Sequence, residues 1–394
     1  MSNLAPGPNT HGGAMHQIIF YPVGNGDTSQ IKLNNGKRIL FDFRHQKKTE
    51  DGSGPEINLK ERLKNELDES ERDYFDVVAF THGDKDHIEN SIEFFELEHA
   101  DKYQGAGRIK IRELWVPAAM ILETALNDEQ SEEFVVWRQE ARYRLKQGER
   151  IRVFSKPDKL KAWLEENDLT VESRKHLITD AGQLVTGFSL RGDGIEFFSH
   201  SPFIKHADEG DILRNPAALI FNVRFQAGTN IFDLCATGDS EWGVLEDIVN
   251  ISKYHNNEDR LNWDLFHLPH HCSYKTLSDA KGDDETEPKQ LVKELLLCGN
   301  EGAYIVSSSR PIENTQAAYE QVQPPHIQAK NCYLHHLRDN CGAKFLVTME
   351  EPNTENPEPI IFNIDDDGIT LVRKIVAGAA IITSTPAPRA GECQ

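Results

Sequence analysis

Apolar positions along this chain fall into short runs broken by turns rich in Gly, Asn and Pro, and their spacing predicts alternating strands and helices. Residues 17–21 are apolar, 23–28 form a Gly-rich turn, 29–33 alternate, 34–37 turn again, and 38–43 are apolar once more, a hairpin-type pattern. A polar loop over 44–56 leads to charged, helically spaced residues over 57–67. Residues 74–81, reading YFDVVAFT, predict a buried strand, and helical spacing resumes over 88–97. A strand, a polar cluster on a turn and a helix, in that order, point to a layered α/β domain. A strand over 108–117 comes next. Residues 118–190, rich in Glu, Lys, Arg and Leu, predict a helical insertion with helices over 132–145 and 157–166. Strands are predicted again over 194–199, 217–225, 230–237 and 261–268, then a helix over 289–297 and a strand over 303–307. A closing hairpin joins 344–349 with 360–363 and 369–374.

At 394 residues the chain accommodates one large domain of roughly 250–300 residues with insertions, or two ordinary ones. The pattern predicts one domain over 15–376, between loose segments at 1–14 and 377–394. No apolar run reaches the ~18 residues of a membrane span, and 1–14 has neither the basic start nor the apolar stretch of a secretory signal. No membrane association is therefore expected. The six cysteines are scattered and form no Cys-x-x-Cys pair, which argues against a disulfide framework or a zinc ribbon and predicts a cytoplasmic setting. A net charge of −21 disfavours passive binding of phosphate backbones through a basic face. Nucleic acid stays open as a substrate, because bound divalent cations reverse the local field.

Three segments carry candidate chemistry. Thr81-His82-Gly83-Asp84-Lys85-Asp86-His87 places four metal-ligating side chains directly after an apolar strand. On a tight loop His82 and Asp84 can turn toward one ion and Asp86 and His87 toward another. Mixed nitrogen and oxygen donors suit zinc, manganese or iron better than calcium. The second segment, 231–239, is an apolar strand ending in Thr237-Gly238-Asp239, where a carboxylate at the strand tip can bridge two ions. The third, 266–273, runs from Phe266 through Pro269, His270, His271 and Cys272 to Ser273, a strand leading into paired histidines. A solvated charged turn, a common Gly-Asp turn and a structural histidine are the bland readings of the three. Their succession in one chain weighs against each.

Together these segments resemble the metallo-β-lactamase superfamily, whose hallmark is a strand followed by His-x-His-x-Asp-His, a later bridging Asp and a terminal His. Here Asp84 replaces the usual second His. That variant, with Thr-Gly-Asp and His-His, is most similar to the hydrolase domain of bacterial competence (DNA-uptake) proteins. Pro22-Val23-Gly24-Asn25-Gly26-Asp27 and Asp42 match further positions of that branch, and the resemblance spans most of 17–308. Cys272 stands where the branch has Gly, Glu89-Asn90 where it has Gly-Gly, and no His-Pro follows the strand at 303–308. The mid-chain His ligand has no clear counterpart; His200 and His206 are candidates.

The resemblance implies an αββα sandwich and a metal-dependent hydrolase using two divalent ions, zinc with manganese as the alternative. His82 and Asp84 would hold one ion, Asp86, His87 and His270 the other, and Asp239 would bridge. The catalytic set is Asp86, which orients the attacking water, His271, which protonates the leaving group, and Asp42, which orients a metal-bound histidine. His270 and His271 can exchange roles without violating the pattern. Lys85 and Ser273 are candidate substrate contacts, while Asp27 reads as a cap for backbone amides. The implied substrate is a nucleic acid or a smaller phosphodiester. A non-catalytic scaffold within a protein assembly is the alternative function, and an ester, thioester or lactone hydrolase a further one.

Overall fold

The computed structural model describes residues 15–123, 132–205, 215–337 and 342–372. Within them the chain builds two sheets. In spatial order the first contains β15 (Gly368–Val372), β14 (Ile360–Asp365), β1 (His16–Phe20), β2 (Ser29–Lys32), β3 (Arg38–Phe41), β4 (Tyr74–Ala79), β5 (Lys110–Pro117), β6 (Ile151–Phe154) and β7 (Ile178–Thr179). The second contains β13 (Lys344–Val347), β12 (Gly299–Ser307), β11 (Trp263–His267), β10 (Asn230–Ala236), β9 (Ile220–Ala227) and β8 (Ile195–Ser201). Strands β3 to β7 pair in parallel, as do β10 to β13, while the remaining neighbours are antiparallel.

Strand periodicity explains the layering. Along β4 and just beyond it, Val78 and Phe80 pack with helices, whereas Val77 and Ala79 face the second sheet. On β12, Tyr304 and Val306 point into the space between the sheets and Ala303 and Ile305 point to the opposite helices. Strands buried on both faces read as near-continuous apolar runs, the pattern of parallel sheets covered by helices. Helix α1 (Leu59–Asp68) buries Leu59, Leu63 and Leu67 at four-residue spacing, and the Asn58 side chain caps it by accepting from the Glu61 amide. With α2 (Lys85–Ile88), α3 (Glu132–Gln147) and α4 (Asp158–Glu166) it covers the first sheet. The outer face of the second sheet is covered by α5 (Trp242–His255), α6 (Gln290–Leu296) and α7 (Ile327–Leu337). The result is the expected αββα order. No helix among the described residues is long and apolar enough to cross a membrane.

Several elements differ from expectation. Residues 118–190 do supply helices, α3 and α4 among them, but they also supply β6 and β7, so this stretch extends the first sheet as well as elaborating it. The predicted closing hairpin is split. Residues 344–347 lie parallel to β12 in the second sheet, and the true hairpin is β14 with β15, docked on β1. Leu346 and Val347 are buried on opposite faces, so this edge strand is covered on both sides like its parallel neighbours. The helix expected over 88–97 becomes two single turns separated by Asn90 in a left-handed conformation (φ 59°). Helix α5 was not anticipated, although Val244, Leu245, Ile248 and Val249 have helical spacing. The predicted loose segments 1–14 and 377–394 lie outside the described residues.

Aromatic packing holds the sheets together. Phe221 sits with its ring centroid 5.1 Å from Phe154 and 5.8 Å from Trp115, and it is 1% exposed. Replacing it with Ala removes the ring from a space that β-sheet backbone cannot collapse to fill. Phe221→Ala should cost about 3–5 kcal/mol in equilibrium urea unfolding; a loss below about 1 kcal/mol would be incompatible with this placement.

Candidate metal centre

The carboxyl ends of β3, β4, β10, β11 and β12 meet at one point between the sheets, the usual location for a site in an open parallel sheet. The Leu219 amide donates to the Thr81 carbonyl at 2.9 Å, and the His270 amide to the Gly238 carbonyl at 3.2 Å. These bonds tie the motif loop after β4 to the second sheet, and the loop after β11 to that after β10. Two glycines permit close approach. A Cβ on Gly83 would lie 2.3 Å from the Phe134 ring, so α3 packs directly over the motif loop. One on Gly26 would lie 2.6 Å from the Asp86 carbonyl oxygen, and Gly26 has φ +155°.

Three imidazoles are held by a shared device. Asp42, in a left-handed conformation just after β3, accepts from the Thr81 amide at 2.7 Å and from the Thr81 hydroxyl at 2.6 Å. It also accepts from His87 Nδ1 at 2.8 Å. A carboxylate can only accept here, so Nδ1 carries the proton and His87 Nε2 points to Asp239 Oδ1, 3.2 Å away. The Thr81 oxygen, its proton given to Asp42, accepts from His82 Nδ1 at 3.1 Å. His82 Nε2 then lies 3.5 Å from Asp84 and 3.9 Å from Asp239. The Ser308 carbonyl accepts from His271 Nδ1 at 2.9 Å, leaving Nε2 3.1 Å from Asp86 and 3.6 Å from Asp239.

Charge in this pocket is strongly coupled. Burial opposes ionisation of Asp239, but the imidazoles of His87 and His271 hold its carboxyl well below the usual range. Burial likewise pushes Asp86 up, and the hydrogen bond from His271 with the nearby His87 outweighs it, bringing the pKa to about 2. The same carboxylates work in reverse. Against the effect of burial, Asp239 and Asp42 raise His87 well above its ordinary value, and Asp239 and Asp86 raise His271 to about 9.

Donor atoms of Asp86, His87, Asp239 and His271 lie within 4.8 Å of one another. His82 Nε2, His87 Nε2 and Asp239 Oδ1 are buried without a hydrogen-bond partner among the described residues. Buried imidazole nitrogens and carboxylate oxygens that face each other unpaired are the arrangement a divalent cation satisfies, and this donor set fits one.

Of the residues expected at this site, His82, Asp84, Asp86, His87 and Asp239 converge. Of the paired histidines, whose roles the pattern left interchangeable, His271 joins the four-residue cluster, its ring oriented by the Ser308 carbonyl. His270 lies beside it, with ring centroids 6.2 Å apart and a buried Nδ1 that has no hydrogen-bond partner among the described residues. His270, His271 and Cys272 are consecutive left-handed residues (φ 50°, 52° and 63°), each costing roughly 1–2 kcal/mol, and such strain collects at functional sites. Asp42 acts on His87 as a positioning residue rather than touching the centre directly. Ser273 is buried and caps a turn by accepting from the Lys275 amide. Lys85 is exposed and 3.6 Å from Glu89.

Asp27 does more than cap a turn. It is buried, 3.5 Å from His267 and 3.9 Å from His271. His267 and Ser308 were given no role from sequence, yet His267 Nε2 lies 2.8 Å from Ser308 Oγ; the only signal was their position at strand ends. His200 is no ligand: its Nε2 lies 3.0 Å from the Arg260 carbonyl oxygen, and burial lowers its pKa to about 4. His206 lies outside the described residues.

No family model matches the chain, and no curated protein matches it. Among solved structures, one described as the crystal structure of a new diphosphatase from the PhnP family shares 10% identity, over 89% of this chain and 98% of that one, with a TM-score of 0.30. Similarity that faint adds nothing to what the strand order and the side chains show. On those grounds the chain is an α/β sandwich of the layer order expected for the metallo-β-lactamase fold, with a metal-competent His/Asp cluster at its strand ends.

A cation binding the Nε2 atoms of His87 and His271 displaces the protons held there by the surrounding carboxylates. Zinc binding at pH 7 should therefore release protons, and affinity should tighten as pH rises from 6 toward 9. Calorimetry in buffers of different ionisation heat reads this directly; identical heats in all buffers would refute it. Asp42→Asn, which withdraws the acceptor from His87 Nδ1, should weaken zinc binding by about 10–100-fold. The check is competition with a chromogenic chelator, and unaltered affinity would remove Asp42 from its positioning role.

Proposed function

We propose that this chain is a metal-dependent hydrolase of phosphodiesters, acting on a nucleic acid or a smaller phosphodiester. The observation that supports it most is the buried Asp239 carboxylate with the Nε2 atoms of His82, His87 and His271 turned toward it from two other loops. Divalent ions bound there, zinc or manganese, would supply an acidified water of pKa ~7 and positive charge for the developing oxyanion. The residues of the chain do the rest. Asp42, Thr81 and Ser308 lock three imidazole orientations before substrate arrives, which removes reorganisation from the reaction step. The Asp86 side chain is 36% exposed and faces the opening, where its carboxylate can accept a hydrogen bond from the attacking water and aim it. Burial of His87 and Asp239 keeps bulk water from competing for the same donors. The mixed imidazole and carboxylate donor set suits zinc or manganese, either of which can also bind a phosphoryl oxygen. A cytoplasmic location belongs to the same reading, since Cys235, Cys272, Cys298 and Cys332 are free thiols, as a reducing compartment keeps them.

The test is hydrolysis of bis(p-nitrophenyl) phosphate and p-nitrophenyl acetate by protein loaded with zinc or manganese, beside elemental analysis of bound metal. Phosphodiester turnover should fall about 100-fold or more in Asp239→Asn and Asp86→Ala while circular dichroism stays native. Turnover of the acetate alone would replace this reading with an ester hydrolase. Absence of both metal uptake and turnover would leave a scaffold within a protein assembly.

A further inference from the structure

The chain carries 64 acidic against 43 basic residues, and five carboxylates (Asp27, Asp42, Asp84, Asp86 and Asp239) line or adjoin the centre. An anionic substrate approaching such a surface needs local positive charge within about one Debye length, ~8–10 Å, of where it lands. Most described arginines are already committed: Arg44 to Glu89, Arg62 to Glu66, Arg144 to Glu140 and Arg224 to Asp233, for example. Two cations on the loops that build the centre are not. Arg310 and Lys275 are exposed, and their charged groups have no hydrogen-bond or ion-pair partner among the described residues.

Their placement follows from the loops that build the centre. Arg310 comes two residues after Ser308, whose carbonyl holds His271 and whose hydroxyl meets His267. Two residues of chain span at most about 7 Å. The Arg310 backbone is pinned there, since its amide donates to Asn25 Oδ1 at 2.8 Å, on the loop that also carries Asp27. Lys275 comes four residues after His271, in the turn that Ser273 caps. The rim between the two cations is closed by protein contacts. Asn25 Nδ2 donates to the Pro324 carbonyl at 2.6 Å, and two residues on His326 accepts from the Tyr274 amide at 3.4 Å and packs on the Tyr274 ring. Arg310 and Lys275 thus belong to the two loops that hold and contribute His271, and those loops are joined by these contacts.

We infer that Arg310 and Lys275 bind a second phosphate of the substrate, next to the one that is cleaved, so that the centre selects short nucleotide chains bearing an extra phosphate over isolated phosphodiesters. This rests on the phosphodiesterase reading. A planar guanidinium matches a phosphate through two parallel N–H donors, and the lysine ammonium adds a point charge. The selectivity lies in binding, because neither charged group bonds to the donor atoms of the cluster among the described residues.

The experiment compares thymidine dinucleotide with and without a 5′-phosphate on zinc- or manganese-loaded protein. Wild type should favour the 5′-phosphorylated form in kcat/KM by about tenfold or more, mainly through KM. Arg310→Ala and Lys275→Ala should bring that ratio toward one, and Arg310→Lys should recover part of it. A ratio retained in both alanine variants, or no preference in wild type, would overturn the inference. Calorimetric binding of the same pair with an uncleavable methylphosphonate linkage separates the two readings. If neither dinucleotide is hydrolysed but the 5′-phosphate still tightens binding through Arg310, hydrolysis fails and the phosphate site stands. If hydrolysis occurs without any effect of the 5′-phosphate, the phosphate site fails alone.

Discussion

Carboxylates brought together in a dry space repel one another, and the rest of this structure is organised around relieving that repulsion. Asp27, Asp42 and Asp239 are almost fully buried at the junction of the two sheets, with Asp86 at the opening. Ionised carboxylates so placed would be untenable without compensating positive charge or hydrogen-bond donors. Three imidazoles, the Thr81 amide and hydroxyl and the protons on His87 and His271 supply it. A divalent cation supplies it better, by taking the lone pairs that those protons occupy. Metal affinity and the coupled pKa shifts are two expressions of one electrostatic demand.

The layered fold makes that convergence possible. Parallel strands deliver successive loops to the same edge, and two facing sheets bring two such edges together. Asp42 and the motif loop come from the first sheet; Asp239, His267, His271 and Ser308 come from the second. The bond between the Leu219 amide and the Thr81 carbonyl joins the halves where registration matters most. Phe134 of α3, seated over Gly83, and the left-handed run at 270–272 leave the loops little freedom. Rigidity of this kind holds donor atoms in place before any ligand arrives.

How much of this was legible depended on how local each feature is. Strands β1 to β5 and β8 to β12 were readable because both-face burial writes an apolar run into the sequence. The partner of residues 344–347 was not, since an apolar run does not name the strand beside it. Helix α5 was readable in principle from Val244, Leu245, Ile248 and Val249. In the centre, His82, Asp84, Asp86 and His87 stand on one short loop, so their spacing alone announced them. The role of Ser273, by contrast, was not legible, because a hydroxyl after paired histidines looks the same whether it caps a turn or meets a ligand.

The sequence by itself determined the layered α/β class, the ligand-bearing loop and the carboxylate at the tip of β10, because periodicity and short-range spacing are written residue by residue. Only the tertiary structure decided that His271 rather than His270 enters the cluster, since the choice is made by a carbonyl at Ser308, 37 positions away in sequence. It also moved Asp27 from turn cap to the centre, and it brought His267 and Ser308 together there. The physical reason is that hydrogen bonds and buried charges select side chains by distance and direction in space, and neither is encoded in the order of residues along the chain.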